Sequence, residues 1–347
     1  GDLSFAAAHD SHGNQHPVAR GTIDGLLGSP DKALRQSAWE AYNDGFLSVK
    51  NTMAALMVGN VRAAVFNARA RGYPSSLEAS LANNNIPLAV FENVIDACNR
   101  HQPIWHRYWE IRRRALGLER LQGSDIFAAL TEEKAEVPFS QAVDWICAGM
   151  QPLGDDYVKI MRRGLTEERW VDIYPNVGKR GGAYSSGTYG TNPFILMSYS
   201  GGLKSMSTLA HELGHSMHSY FARRDQPYVY SGYSLFVAEV ASNFNQALVR
   251  AHLLRQGGEP DFQISLIEEA MGNLHRYLFV MPILAQYERY VHAEVERGKA
   301  PTADSMSSYL AELLRAGYGP AVDVDTQRDG IAWATFPHMY SSFYVYQ

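Results

Sequence analysis

A mainly helical fold is predicted by three features of the 347-residue sequence. Long stretches carry apolar residues at i, i+3, i+4 and i+7, the spacing of one helix face, and then meet a glycine or proline. One segment rich in glycine and tyrosine, residues 170–202, interrupts this pattern and contains the strand-like run PFILMSY. No internal repeat or low-complexity tract is visible. We therefore expect a large α-helical protein with a small β-sheet just before the helix that starts near residue 205.

The helical pattern covers residues 20–120 first. Ser29-Pro30-Asp31 supplies an N-cap and a first-turn proline for one helix, and Ser75 or Ser76 caps a later one. Pro87 opens the helix after that. Two shorter helices are expected at residues 139–150 and 154–163.

The pattern returns after the glycine-rich segment and continues to about residue 315. Breaks are expected at Pro227, at Gly257-Gly258 and at Gly298. Ser205 or Ser207 is the expected cap of the first helix in this region, which follows the predicted strand directly.

Composition narrows the class of protein. The 31 basic and 36 acidic side chains give a net charge of −5 and form no basic block that would follow a phosphate backbone, so nucleic acid is not an expected partner. No apolar run has the length of a membrane helix. Cys98 and Cys147 lie far apart in the sequence and lack CxxC spacing, which fits a reducing compartment. No signal peptide is visible at the start of the sequence. These features predict a cytoplasmic protein without a membrane partner, and the aromatic C-terminus suggests a piece of a longer chain.

A candidate metal site lies in the segment STLAHELGHSMHSYF. His215 follows His211 by four positions, so on a helix the two side chains share one face and can bind the same ion. Glu212 follows the first histidine, where its carboxylate can serve as the general base of a metal-assisted hydrolysis. A chance match to this HExxH pattern is the alternative. The longer pattern HExxHxxGxxH is excluded, because His218 and Phe221 occupy its last two positions.

Glu239 is the candidate third ligand, since it is the only acid in the apolar helix YSGYSLFVAEVASNFNQALVR. We expect that helix face to be buried, where an unpaired carboxylate is costly and a divalent cation would neutralise it. A salt bridge to an arginine is the alternative. Asn243 is either a hydrogen-bonding partner of the ligand or simply a solvated polar group. His218 is interpreted as a second-shell or packing histidine; as a fourth ligand it would close the site.

With HELGHSMHSY and FVAEVAS, the chain resembles the oligopeptidase F branch of the thimet oligopeptidase family of zinc endopeptidases. The segments GKRGGAYSSGTYGTNPFILMSY, GYGP and FPHMYSSFYVYQ extend the resemblance over the chain from about Val18. The resemblance implies a zincin-type helical fold with a deep substrate channel, one zinc ion per chain and oligopeptide substrates. It also implies that residues 1–165 form one wall of the channel, that residues 166–347 form the zinc region, and that family members carry a further N-terminal lobe and C-terminal tail.

Carried over residue by residue, the resemblance makes His211, His215 and Glu239 the zinc ligands and Glu212 the base. His338 matches the family's oxyanion-binding histidine. Tyr340 and Tyr346 are the favoured oxyanion-binding tyrosines and Tyr344 is a further option; aromatic core packing is the alternative for all three.

Peptide binding is expected around the predicted strand, whose edge can pair with an extended peptide. Gly187 and Tyr189 are the candidate contacts in the flanking loop, although its glycines can equally serve tight turns. The segment lacks GxxxxGK[ST], which excludes a phosphate loop. The predicted function is a zinc endopeptidase for short peptides. A zinc- or peptide-binding helical protein without turnover, or a structural zinc site closed by His218, are the alternatives.

Overall fold

The computed structural model describes residues 3–131, 135–176, 179 and 182–344, and most of them are helical. The helices, in chain order, are α1 Ile23–Leu27, α2 Lys32–Leu47, α3 Lys50–Ala70, α4 Ser76–Ala82, α5 Leu88–Arg100, α6 Gln102–Ala115, α7 Phe139–Gly149, α8 Asp155–Thr166, α9 Leu203–Asp225, α10 Leu235–Gln256, α11 Pro260–His275, α12 Met281–Glu296, α13 Ala303–Tyr318 and α14 Ala332–Thr335. A π-helical segment, Arg276–Val280, joins α11 to α12. The mainly helical prediction is confirmed. Within the described residues, no helix combines the length and apolar character needed to span a bilayer.

Each strand is only two or three residues long. They are β1 Ala8–His9, β2 Gln15–His16, β3 Leu121–Gln122, β4 Val171–Asp172, β5 Tyr184–Ser186, β6 Phe194–Leu196 and β7 Val322–Asp323. The predicted sheet before α9 is present as a three-stranded sheet in the order β4-β6-β5. The pairs β1-β2 (antiparallel) and β3-β7 (parallel) were not predicted.

The sheet before α9 corrects one prediction. The run PFILMSY does form a strand, but β6 lies in the middle of the sheet, parallel to β4 and antiparallel to β5. Both of its sides are therefore hydrogen-bonded, and the prediction that it offers a free edge to a peptide is wrong. Among the described strands of this sheet, β5 is the edge next to β6 on the antiparallel side.

The helix starts predicted near Pro30 and Ser75 both carry a side-chain cap, but the cap of α2 is Asp31, so Pro30 precedes the helix and the prediction that it lies in the first turn is wrong. The Asp31 carboxylate accepts the backbone N–H groups of Ala33 and Leu34 at the start of α2. The Ser75 hydroxyl accepts the backbone N–H of Glu78 at the start of α4.

The predicted cap of α9 is wrong. Gly202 precedes the first turn, and neither Ser205 nor Ser207 caps it. The Ser205 hydroxyl instead accepts the backbone N–H of Ser200, while Ser207 takes part in a side-chain network described below. Both serines lie inside the helix, so the serine signal placed the helix start a few residues too late.

The chain forms two compact units, residues 1–130 with 272–347, and residues 131–271. In the first unit, α12 packs against α3, α5 and α13, and Tyr287 is fully buried. In the second unit, α7, α8 and α10 pack against α9 over a core that includes Ile146, Met161 and Leu213. These boundaries differ from the predicted division at residue 165, and the assignment of residues 1–165 to a channel wall stays a prediction.

Candidate metal centre

The HExxH segment lies in the middle of α9, in the second unit. Leu209, Leu213 and Met217 are fully buried and fix one face of the helix in the core of that unit. His211 and His215 leave the helix one turn apart on another face, with ring centroids 4.9 Å apart and ring planes at 86°. The i, i+4 spacing therefore brings both imidazoles to one place, as the sequence predicts.

Glu239 of α10 meets both histidines. Its Oε2 lies 3.2 Å from Nε2 of His211, and its Oε1 lies 3.6 Å from Nε2 of His215. Ligands about 2.0–2.1 Å from a tetrahedral zinc ion stand about 3.3 Å apart, so the 3.2 Å separation matches one edge of such a site, and the 3.6 Å separation, which involves the other carboxylate oxygen, is close to it. The three residues form the one group of described His, Cys, Asp and Glu side chains with ligand atoms close enough to hold a metal, all within 4.8 Å of one another. The residues present thus fit a small divalent cation.

A close contact between α9 and α10 makes this convergence possible. A Cβ atom on Gly214, inside the HELGH sequence, would lie 2.5 Å from Cα of Ser242 and 2.6 Å from the carbonyl oxygen of Ala241. No side chain fits there, so only glycine lets the two backbones approach this closely.

The helix face that carries Glu239 is largely exposed, and the prediction that it is buried is wrong. The Glu239 side chain is 46 % exposed, and Phe236, Val240 and Phe244 on the same helix are each more than half exposed. The carboxylate still carries a strongly perturbed pKa. Burial raises it, but hydrogen bonds from His211 and Ser242 outweigh burial and lower the pKa of Glu239 to about 2.

Two side chains near Glu239 have different partners. The Ser242 hydroxyl, which is fully buried, donates to Oε2 of Glu239 at 2.7 Å. Asn243 donates instead to the backbone carbonyl of Glu239 at 2.9 Å. Ser242, which sequence reasoning missed, therefore contacts the candidate ligand atoms directly, and the predicted role of Asn243 stays a prediction.

Glu212 is buried beside the metal-binding group. Burial raises the pKa of its carboxyl to about 7, and a hydrogen bond from the backbone N–H of Ser185 in β5 works against that shift. Oε2 of Glu212 is buried without a hydrogen-bond partner among the described residues. The group can therefore accept a proton at that oxygen.

His211 has a second partner behind the ring. Its Nδ1 lies 3.0 Å from Oε1 of Gln246, on α10. Burial alone would lower the pKa of His211, but hydrogen bonds with Glu239 and Gln246 raise it overall, whereas burial lowers the pKa of His215. Gln246 was not predicted, since the contact depends on how α9 and α10 cross.

His218 lies outside the group of metal-binding atoms. Its ring stacks on Tyr233 at 3.8 Å with an angle of 11° between the planes, and its pKa is lowered by burial. The structure therefore gives this histidine a packing contact, and the reading that it closes a structural zinc site has no geometric support.

Gly187 and Tyr189 lie in the loop between β5 and β6. Gly187 has φ +146°, and a Cβ there would lie 2.7 Å from Nη1 of Arg223, which donates through Nη2 to the Gly187 carbonyl. The positive φ and the close approach of the Arg223 side chain therefore explain why this position is a glycine. The Tyr189 ring packs edge-on against Tyr228 at 5.5 Å. Their contact with a peptide stays a prediction.

The predicted oxyanion-binding residues belong to the first unit. His338 stacks on Tyr344 with centroids 5.6 Å apart, and Nδ1 of His338 and the hydroxyl of Tyr340 are buried without a described partner. Burial raises the pKa of Tyr340 to about 12, so its hydroxyl keeps its proton at neutral pH. Tyr346 lies outside the described residues.

The chain is mainly helical and brings together two imidazoles, a facing carboxylate and a buried glutamate. This combination is typical of a helical metallopeptidase. Comparison with known proteins supports this class. The model of peptidase family M3 matches residues 26–347. The chain belongs to peptidase family M3, and membership implies a metal site.

The chain is also similar in sequence to named oligopeptidases. The chain is 36 % identical over 347 residues to oligopeptidase PepF of Bacillus subtilis (strain 168), covering all of this chain and 52 % of the relative. It is 32 % identical over 346 residues to group B oligopeptidase PepB of Streptococcus agalactiae, covering 57 % of it. The chain thus spans about half the length of these relatives.

Solved structures resemble the fold along the whole chain. The crystal structure of oligoendopeptidase-F from Enterococcus faecium matches all of this chain and 55 % of that one, with TM-score 0.75 and 26 % identity. A candidate peptidase from Chlamydophila abortus matches all of this chain and 58 % of that one, with TM-score 0.87 and 36 % identity. The predicted family and helical fold class are confirmed.

Proposed function

We propose that this chain is the catalytic part of a zinc-dependent endopeptidase that hydrolyses short peptides. The observation that carries the proposal is the meeting of His211, His215 and Glu239, with Glu212 buried one residue from the first of them. Family membership and the oligopeptidases among the relatives support it.

The proposed cofactor is one zinc ion per chain. Two imidazole nitrogens and a carboxylate oxygen are ligands that zinc accepts, and three protein ligands leave one position free, as catalysis requires. When bound, the ion would supply Lewis acidity, which lowers the pKa of water at the site toward about 7 and polarises a peptide carbonyl.

Glu212 is the proposed general base. Its partnerless carboxylate oxygen would take a proton from the attacking water and later pass it to the amine that leaves the cleaved peptide bond. Both transfers need the Glu212 carboxylate to be held in place. The hydrogen bond from the backbone N–H of Ser185 helps to hold it.

The proposed peptide contact is the edge of β5. Ser185 in this strand also contacts Glu212 through its backbone, so a peptide pairing with β5 would run beside the base. Gly187 and Tyr189, which follow β5, are proposed to contact the same peptide.

Oxyanion binding by His338 and by Tyr340 or Tyr346, with Tyr344 as a substrate contact, is proposed from the family resemblance. The buried, unpartnered Nδ1 of His338 and hydroxyl of Tyr340 support it, because such atoms are costly without a ligand. A cytoplasmic location is proposed from the free thiols of Cys98 and Cys147.

Zinc content and cleavage of a quenched fluorescent peptide test the proposal on the 347-residue chain. Glu212→Gln should retain zinc and lose about 10²–10⁴-fold in turnover, because it removes only the base. Glu92→Gln, an exposed glutamate of α5, is the matched control and should keep full activity. Activity retained by Glu212→Gln contradicts the role of the base; zinc without turnover in the wild type would favour a binding protein.

A further inference from the structure

We propose that Gln246 is a positioning residue for the metal: held by Ser207, Glu269 and Arg250, it fixes His211 with its ring proton on Nδ1 and its Nε2 free to bind. The inference rests on the proposed function, since it concerns the same metal site. All five residues belong to the second unit. We call these four supporting residues the Gln246 relay.

The direction of each hydrogen bond in the Gln246 relay follows from its charged end. Nε of Arg250 can only donate, and it donates to Oε2 of Glu269 at 2.8 Å. The Ser207 hydroxyl donates its single proton to Oε1 of Glu269 at 2.5 Å. Its oxygen must therefore accept from Nε2 of Gln246, at 2.8 Å. The amide of Gln246 is thereby oriented with its oxygen toward Nδ1 of His211, at 3.0 Å.

This orientation determines which ring nitrogen of His211 binds the metal. An amide oxygen only accepts, so Nδ1 must carry the proton that it receives. Nε2 is then the nitrogen that faces Oε2 of Glu239, 3.2 Å away. A proton on Nε2 can fill this gap as a hydrogen bond, and a divalent cation would replace that proton and bind both atoms. The Gln246 relay therefore keeps the ring in the tautomer that zinc requires.

Burial makes the Gln246 relay specific. Ser207 and Gln246 are both buried, and the Arg250 and Glu269 side chains are each only 16 % exposed. Solvent therefore competes weakly for these bonds, and reversing the amide would set its oxygen against the Ser207 oxygen, whose proton goes to Glu269.

The second histidine is held by different means. For His215, a hydrogen bond with the backbone of Ala238 acts to raise the pKa, whereas the partner of His211 is a side chain, Gln246. The orientation of His211 is thus the one that a side-chain exchange can disturb. This difference makes Gln246 the informative position to change.

The test measures zinc affinity of the 347-residue chain by competition with a chromogenic chelator, after the metal has been removed. Gln246→Leu should weaken zinc binding about 10–100-fold, the usual effect of losing such a partner. Gln246→Glu keeps an acceptor opposite Nδ1 and should restore affinity to within a few-fold of the wild type. Ser207→Ala, a smaller change, should weaken binding in the same direction by releasing the amide.

Asn245→Leu is the matched control, because Asn245 is the buried neighbour of Gln246 on α10 and bonds to Tyr157 instead. It should lower the unfolding midpoint, as Gln246→Leu does, and leave zinc affinity unchanged. Equal zinc affinity for Gln246→Leu and the wild type, or an equal loss in Asn245→Leu, overturns the role of Gln246 alone. A wild type that binds no zinc overturns the proposed function together with it.

Discussion

Glu288, a carboxyl enclosed in the first unit, should make folding stability fall as pH rises from about 4.5 to about 8. It is 1 % exposed, and its Oε1 accepts the backbone N–H of Phe343. Burial raises the pKa of Glu288 to about 8 from its ordinary 4.5, with the Phe343 bond acting in the opposite sense. Between these two values the folded chain holds a proton that the unfolded chain has released. Raising the pH through that window therefore favours unfolding.

The magnitude follows from the same two values. Each pH unit inside the window is worth up to about 1.4 kcal/mol, and the effect levels off above the folded pKa. Between pH 6.5 and 9 the expected loss is about 2 kcal/mol. His292, whose Nε2 lies 3.9 Å from Oε1 of Glu288, acts in the opposite sense, because burial lowers its pKa to about 3. An unfolded histidine is half protonated at about pH 6.5, so this offset is about 0.4 kcal/mol, and the wild type and a Glu288 variant share it.

Urea denaturation of the wild type and of Glu288→Gln at a series of pH values measures this effect. Glutamine mimics the protonated carboxyl, so the variant should gain about 2 kcal/mol on the wild type between pH 6.5 and 9. Glu92→Gln, at a half-exposed position of α5, is the control and should follow the wild type throughout. Parallel profiles for the wild type and Glu288→Gln would refute the reasoning, since they would mean that Glu288 is ionised in the folded chain.

Three further predictions concern packing and ligand support. Gly214→Ala should destabilise the chain by about 1–3 kcal/mol and weaken zinc binding, because the added Cβ overlaps the backbone of α10. Gly59→Ala, which adds a Cβ in open space on α3, is the control and should do neither. Equal effects of the two substitutions in urea denaturation and in zinc titration would contradict this prediction. Ser242→Ala should weaken zinc binding by removing the 2.7 Å bond to Glu239, and unchanged affinity in the chelator assay counts against it. Phe343→Ala should cost about 3–5 kcal/mol in urea denaturation, since the ring is fully buried, and a loss below 1 kcal/mol would show that the site collapses.

The helices and the HExxH pair could be predicted because both are local. Helix periodicity and caps such as Asp31 depend on residues within one or two turns, and α-helix geometry alone places His211 and His215 on one helix face. The strand pairs β1-β2 and β3-β7 could not be predicted, since two-residue strands carry no alternating pattern. In β3-β7, Leu121 pairs with Val322, far away in the sequence.

The supports of the metal-binding group depend on how helices cross, which no local pattern encodes. The sequence predicts Glu239 as a ligand because it is the lone acid on a helix face expected to be buried, yet that face is largely exposed. Ser207 was interpreted as a helix cap because serine favours caps, whereas its hydroxyl bonds to Gln246. A weak signal existed: Ser207 is four residues before His211 on α9, and Gln246 is seven after Glu239 on α10, so each shares a face with a candidate ligand.

The crossing of α9 and α10 also explains how the candidate ligands come so close together. The two backbones touch where Gly214 meets Ser242, one residue before His215 and three residues after Glu239. Ser242 holds the Glu239 carboxylate from within α10, and Gln246 ties α10 back to α9 through Ser207. A shift of either helix must break one of these bonds or open the glycine contact. Because this crossing sets the ligand spacing, changes at the crossing should alter zinc affinity, whereas a change at an exposed position of α10 far from it, such as Leu254, should not.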